Sequence, residues 1–228
     1  MVSLATAIFP TTVATLGDAE FRGVKFIMSM FNRYVQNAFR ENREVFEAMS
    51  NNELLIGRLV SLAALCVSTL RSGGKLIFAG NGGSAADAQH IAAEFVSRFD
   101  FDRPGLAAIA LTTDSSILTA VGNDYGFERL FSRQISSIGR PEDVFIAYTT
   151  SGQSKNILFA LDEANRIGLS TVVFTGNRGG EILDKAKLIL EVNSSYTPRI
   201  QEAHGFLGHL LCGMIENTLF STDDAWRP

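Results

Sequence analysis

The chain has 228 residues, 46% of them hydrophobic, with 20 Lys and Arg against 24 Asp and Glu and a net charge of −4. That length and apolar content support one buried core and one domain. The acidic balance, without a basic run or stripe, argues against a nucleic-acid-binding surface, and no continuous apolar run reaches the ~18 residues needed to span a bilayer.

The N-terminal segment comes first. Met1 to Leu16 is apolar and Thr-rich, Pro10 interrupts it, and no Lys or Arg precedes Arg22. A secretory signal would start with positive charge, so residues 1–27 read as a poorly ordered extension and residues 28–228 as the domain. Met28 or Met30 would serve as alternative starts. Apolar positions at three- and four-residue spacing then predict helices over Phe31–Ala48 and Glu53–Leu70, the second stopped by Gly73-Gly74. Cys66 and Cys212 lie in apolar helical contexts and read as buried free thiols of a reducing cytoplasm.

Five short apolar runs follow, each bounded by turn signals: Lys75–Ala79, Leu106–Leu111, Val144–Tyr148, Thr171–Phe174 and Leu188–Val192. Amphipathic stretches at Ser84–Arg98, Ser115–Ile138, Ser154–Ile167 and Glu181–Ala186 separate them. Strands alternating with helices predict βαβ units around a parallel sheet, with right-handed crossovers placing helices on both faces. Thr197 is expected to cap a last helix, with Pro198 at its first position, running to about Phe220.

Ligands of such a sheet bind beyond the carboxyl ends of its strands, and two of those ends are unusual. The first strand enters Gly80-Asn81-Gly82-Gly83-Ser84 and then an alanine-rich helix. Exposed N–H groups and the positive helix end make that turn an anion site. The same helix places His90 and Glu94 one turn apart, which adds proton-transfer or metal-binding capacity beside the anion. The third strand enters Thr149-Thr150-Ser151-Gly152-Gln153-Ser154. One hydroxyl would suffice to cap a helix; four in six residues point to a phosphate cradle.

Gly80-x-Gly82-x-x-Ala85 also fits a relaxed dinucleotide fingerprint. The nearest suitable acid, Asp114, comes some ten residues too late for a ribose, however, and no Gly-Lys-Ser/Thr follows either loop. A monophosphate ester suits the hydroxyl-rich loop better than a pyrophosphate. All three histidines, His90, His204 and His209, lie on the two helices flanking this site. Gln201 and His209 are roughly 80° apart around their helix and can line one cleft, while His204 lies on the other flank of Gln201. Spacing alone does not choose between His204 and His209. Val121-Gly122-Asn123-Asp124-Tyr125-Gly126 reads as a glycine-bracketed turn whose Asn and Asp would bond sugar hydroxyls.

Four segments in this order, Gly80 to Glu94, Val121 to Phe127, Thr149 to Ser154 and Arg199 to His204, resemble the phosphoheptose isomerases. These sugar-isomerase (SIS) domain enzymes convert sedoheptulose 7-phosphate into D-glycero-D-manno-heptose 7-phosphate, feeding the heptose of lipopolysaccharide. The resemblance covers about Phe31 to Phe220. It implies a three-layer α/β/α, flavodoxin-like fold with a five-stranded parallel sheet, and a cytoplasmic homotetramer whose active sites are shared between subunits. By position, Asn81, Gly82, Gly83, Ser84, Glu94, Asn123, Asp124 and Gln201 would bind substrate, and Thr149, Thr150, Ser151 and Ser154 would grip its phosphate. His90, Glu94, Gln201 and His209 match the family's zinc set, one ion per subunit, and Glu94 and His209 its proton-transfer pair. Thr149 stands where serine is familiar, and Pro198 where some members carry an aspartate facing the sugar.

Moving a carbonyl between C1 and C2 needs a base at carbon and an acid or Lewis acid at oxygen, with an enediolate between them. Glu94 is assigned the carbon and His209 the oxygen or ring opening. The alternative is a non-catalytic SIS-fold binding protein similar to the replication initiator-associating protein, whose C-terminal segment resembles Asn217–Phe220. Retention of Glu94 and His209 favours the enzyme. A sugar-phosphate-sensing module would travel with a DNA-binding or amidotransferase domain, for which 228 residues leave no room.

Overall fold

A computed structural model describes residues 18–221, with side chains from residue 24. The chain divides into two compact units, residues 1–44 and 45–228. The first, as far as it is described, is most of helix α1 (Asp18–Ser50), on which Phe26, Phe31, Tyr34 and Phe39 are exposed. The helix starts thirteen residues before the expected Phe31. Residues 18–27 of the predicted extension are thus helical, and residues 1–17 lie outside the described part.

The second unit carries α2 (Glu53–Arg71), β1 (Leu76–Gly80), α3 (Gly83–Val96), β2 (Ala108–Ala110) and α4 (Ser115–Tyr125). A 3-10 turn (Phe127–Arg129), α5 (Leu130–Ile138), β3 (Val144–Thr149), α6 (Lys155–Arg166) and β4 (Ser170–Gly176) follow, then α7 (Ile182–Lys185), β5 (Leu188–Val192) and α8 (Thr197–Phe220). All five strands are parallel, in the order β2-β1-β3-β4-β5. Each expected apolar run overlaps one strand, with limits differing by up to two residues, and the fold is the predicted three-layer α/β/α arrangement.

Strand residues alternate between two cores because successive side chains leave opposite faces. Leu76, Phe78, Val144, Ile146, Tyr148, Val172 and Phe174 pack with α2, α3 and α8. Ile77, Ala79, Phe145, Ala147 and Val173 pack with α4, α5, α6 and α7. Both faces are covered, so the strands carry apolar runs rather than a polar-apolar alternation. Each fully buried Leu, Ile or Phe contributes about 1.5–3 kcal/mol through burial.

By length and composition α2 is able to cross a membrane, although no uninterrupted apolar run suggested it. Its Leu55, Leu59, Leu62, Cys66 and Val67 are buried in the core, and the Arg58 guanidinium donates to the Ile189 carbonyl at 3.0 Å. It serves as a core helix here. Cys66 and Cys212 are buried and unpaired, and burial pushes both thiols up.

The order reverses between β1 and β3, so the chain leaves these neighbouring strands in opposite directions across the sheet. That opens a crevice above their carboxyl ends, where the glycine turn and the hydroxyl loop both begin. At the other end of the same strands, buried Asp143 accepts from the Lys75 and Arg140 backbone N–H groups and from Lys75 Nζ at 2.6 Å, pinning β1 to β3 below the crevice.

Candidate active site

At the glycine turn, Gly82 caps α3 with φ of +56°, a left-handed conformation that side chains disfavour. Gly83 packs against the Gln201 amide so closely that a Cβ there would collide with it. Ser84 is buried and its N–H bonds the Asn81 carbonyl at 3.0 Å. These contacts draw the start of α3 against α8 and leave the turn's outer surface to the crevice.

The two loops are joined by a pair the sequence reading missed. Asn81 Nδ2 donates to Asn156 Oδ1 at 2.9 Å, and Asn156 Nδ2 returns a bond to Asn81 Oδ1 at 2.8 Å. Asn156 is buried in the first turn of α6. A buried amide is costly unless its groups are paired, and here each amide satisfies the other. The signal available in sequence was a lone Asn two residues after Ser154, which is also an ordinary helix-start residue.

Within the second loop the hydroxyls divide. Thr149 is buried and its Oγ1 accepts from the Gly152 N–H at 3.2 Å, shaping the loop from inside. Ser154 caps α6 through its backbone and uses no side-chain cap bond. Thr150 Oγ1 lies 3.5 Å from Thr197 Oγ1 at the start of α8, and Ser151 Oγ accepts from the Gln153 N–H. Helix α8 is capped by Tyr196 rather than Thr197, with no side-chain cap bond, because the chain is already helical at Thr197.

Further along, α3 and α8 bring together three of the four expected metal ligands. His90 Nε2 lies 3.2 Å from Glu94 Oε1 and 3.1 Å from His209 Nε2, with the two imidazoles edge to face. One ligand atom from each of the three residues falls within a 4.8 Å group. Two ligands at ~2.0–2.1 Å from one tetrahedral ion stand roughly 3.3 Å apart, close to the His90–Glu94 and His90–His209 separations, and two imidazoles with a carboxylate are a donor set that suits zinc. Gln201 lines the same cleft as His209, with Gly83, Asp87 and Gly205, around a volume of about 520 Å³.

Asp87, one turn before His90, was not singled out by sequence. Burial pushes its carboxyl up to about 6, opposed by His90, and its Oδ2 is buried without a partner. His204 points elsewhere, fully buried beside Tyr148 and Phe174 at ring distances of 5.8 and 5.9 Å. Burial pushes its imidazole down to about 4, opposed by the Thr175 backbone. That leaves His209 as the histidine of α8 in the cluster.

Asn123 and Asp124 are on α4. They form the last turn of α4 rather than a loop, because the helix continues to Tyr125 and ends at Gly126, with φ of +89°. Both are exposed, and Asn123 Nδ2 donates to Asp124 Oδ1 at 2.8 Å.

Residues 39–176 match the family model of the SIS domain. The chain is 56% identical over 187 residues to the phosphoheptose isomerase of Burkholderia pseudomallei, covering 82% of this chain and 95% of that one. It is 47% identical over 188 residues to the phosphoheptose isomerase of Sulfurimonas denitrificans, covering 82% and 96%. Among solved structures, the phosphoheptose isomerase of Neisseria gonorrhoeae superposes with a TM-score of 0.77 at 39% identity, covering 82% of this chain and 99% of that one.

Proposed function

The chain belongs to the SIS-domain family and, within it, to the phosphoheptose isomerases, and from that premise we propose that it converts sedoheptulose 7-phosphate into D-glycero-D-manno-heptose 7-phosphate through an enediolate. It is an isomerase of a phosphorylated heptose, in heptose biosynthesis. The observation that carries the chemistry is the position of Glu94 and His209, 3.2 and 3.1 Å on either side of His90 Nε2. Both lie on the helices that meet at the glycine turn, where Gly83 of α3 packs on Gln201 of α8.

The roles follow from the groups. The N-terminus of α3 and the hydroxyls of Thr150, Ser151 and Ser154 hold the phosphate by charge-assisted hydrogen bonds. Thr149 keeps that loop in shape, while Asn81, Gly82, Gly83, Ser84 and Gln201 orient the sugar. Glu94 takes the proton from carbon and His209 moves the proton at oxygen, each contributing ~10²-fold or more. His90, Glu94, Gln201 and His209 would hold one zinc ion, which when bound supplies Lewis-acid stabilisation of charge on oxygen.

The same reading makes the protein a cytoplasmic homotetramer with active sites shared between subunits and no nucleic-acid or membrane partner. Exposed Phe26, Phe31, Tyr34 and Phe39 on α1 and Leu54 on α2 are surface that further copies would cover. On the same helices Leu59 and Leu62 are in the core, and Phe46 meets Phe206 edge to face with ring centroids 5.0 Å apart. Asn123 and Asp124, exposed in the last turn of α4, suit a site that a second subunit completes. Light scattering near four times 24.8 kDa checks the assembly.

Incubation with sedoheptulose 7-phosphate, followed by NMR, tests the activity. The expected result is the aldose phosphate, lost on chelation and restored by Zn²⁺. No product from zinc-loaded protein overturns the assignment and favours the non-catalytic binding protein.

A further inference from the structure

The proton-transfer pair is split between two helices, so something must set the distance between them. Arg103 and Glu216 are the ion pair with both side chains buried, at 2% and 1% exposure, among the described residues. Arg103 Nε donates to Glu216 Oε1 at 2.8 Å. The rest of the guanidinium reaches the end of α3: Nη2 donates to the Glu94 carbonyl at 2.8 Å, and Nη1 to the carbonyls of Phe95 at 2.6 Å and Ser97 at 3.2 Å. Helix α3 has no basic residue in its last turn; the Phe95 carbonyl also accepts from the Leu106 N–H at 2.9 Å, and Arg103 is the donor to the Glu94 and Ser97 carbonyls.

Glu216 lies two turns beyond His209 on α8, on nearly the same face. Its Oε1 also accepts from the Phe99 N–H at 3.0 Å and its Oε2 from the Asp100 N–H at 2.6 Å. Burial would raise this carboxyl, but those N–H groups and Arg103 hold it below the usual carboxylate range. The Phe99 ring, fixed by its own N–H, packs 5.5 Å from the His209 ring. One continuous set of bonds therefore runs from the backbone of Glu94 through Arg103 and Glu216 to the helix and the ring that flank His209.

We propose that Arg103 and Glu216 are positioning residues, a buried clamp that sets Glu94 on α3 against His209 on α8. Neither touches the reacting atoms. Two side chains with both partners buried would suit mere stability as well, but a stabilising pair alone has no reason to take the carbonyl of Glu94 and the N–H of the residue packed on His209. The activity arm of the test rests on the isomerase reading above; the metal arm does not.

Full-length protein carrying Arg103→Lys, Glu216→Gln, or the paired change Arg103→Met with Glu216→Leu is compared with wild type. The paired change removes both charges and so leaves no buried ion alone, which lets it fold even where a single variant does not. Zn²⁺ affinity of metal-stripped protein is measured by calorimetry, and kcat and KM with sedoheptulose 7-phosphate. The clamp predicts that each folded variant, the paired one included, loses ~10-fold or more in Zn²⁺ affinity and in kcat, as supporting contacts of ligands do, while KM holds. A paired variant that melts with the wild type yet keeps these losses separates positioning from stability. Wild-type Zn²⁺ affinity and kcat in folded variants overturn the proposal. An inactive wild type would overturn the isomerase reading instead, with the Zn²⁺ affinities still deciding the clamp.

Discussion

The two halves of the proposed site are built by different means. The phosphate half comes from loops at the ends of β1 and β3, in which backbone groups and hydroxyls are supplied by runs of five or six consecutive residues. The proton-transfer half comes from side chains of α3 and α8, with His90 and His209 separated by 119 positions. Local chain geometry makes the first. Packing of two helices makes the second, and nothing in either helix alone creates it. The first should therefore tolerate small changes in helix position, and the second should not.

The largest expected effect breaks the second half and spares the first. Glu94→Gln and His209→Asn should each lower kcat by ~10²-fold or more, with affinity for the sugar phosphate retained because the loops are untouched. Near wild-type turnover in either variant would remove that residue from the chemistry. The converse change sharpens the contrast. Ser151→Ala and Ser154→Ala would each delete a proposed hydroxyl bond to a charged phosphate, worth about 1.5–3 kcal/mol, so KM should rise ~10-fold or more with kcat little changed. A fall in kcat at constant KM would show that the halves are not separable.

The smallest effect is on stability against pH. His204, held near 4 by burial against an ordinary value of 6.5, binds fewer protons folded than unfolded, so stability falls as pH drops from 6.5 toward 4. Asp87, raised to about 6 from 3.8, binds more protons folded, so its contribution grows as pH drops through 6 toward 3.8. The two oppose each other over nearly the same window. Asp87→Asn removes one of them, and its thermal midpoint should fall more steeply than that of wild type between pH 6.5 and 4. Parallel melting curves would show that Asp87 is not held protonated.

The same division decided what was legible in the residues. Strands buried on both faces announce themselves as apolar runs between turns, and both loops follow such runs directly. Helix limits were less readable: α1 begins at Asp18 where periodicity suggested Phe31, and α4 carries through Asn123 and Asp124 where two glycines suggested a turn. His204 and His209 could not be separated by spacing, because burial against Tyr148 and Phe174 is a property of the sheet beneath α8. Asn156, Arg103 and Glu216 were invisible for a related reason. Each gains meaning from a partner 75 or 113 positions away, and a single sequence carries no trace of such pairings.

The Asn81–Asn156 pair has a consequence for how long the protein lasts. Asn81 precedes Gly82, and an Asn-Gly step is where chains most readily deamidate with age, the glycine nitrogen attacking the side-chain carbonyl. Here both side-chain atoms of Asn81 are occupied by Asn156, which restrains the rotation that attack requires. The product would be a carboxylate in the turn proposed to receive an anion. Asn156 thus guards the catalyst against a slow chemical clock as well as joining its loops.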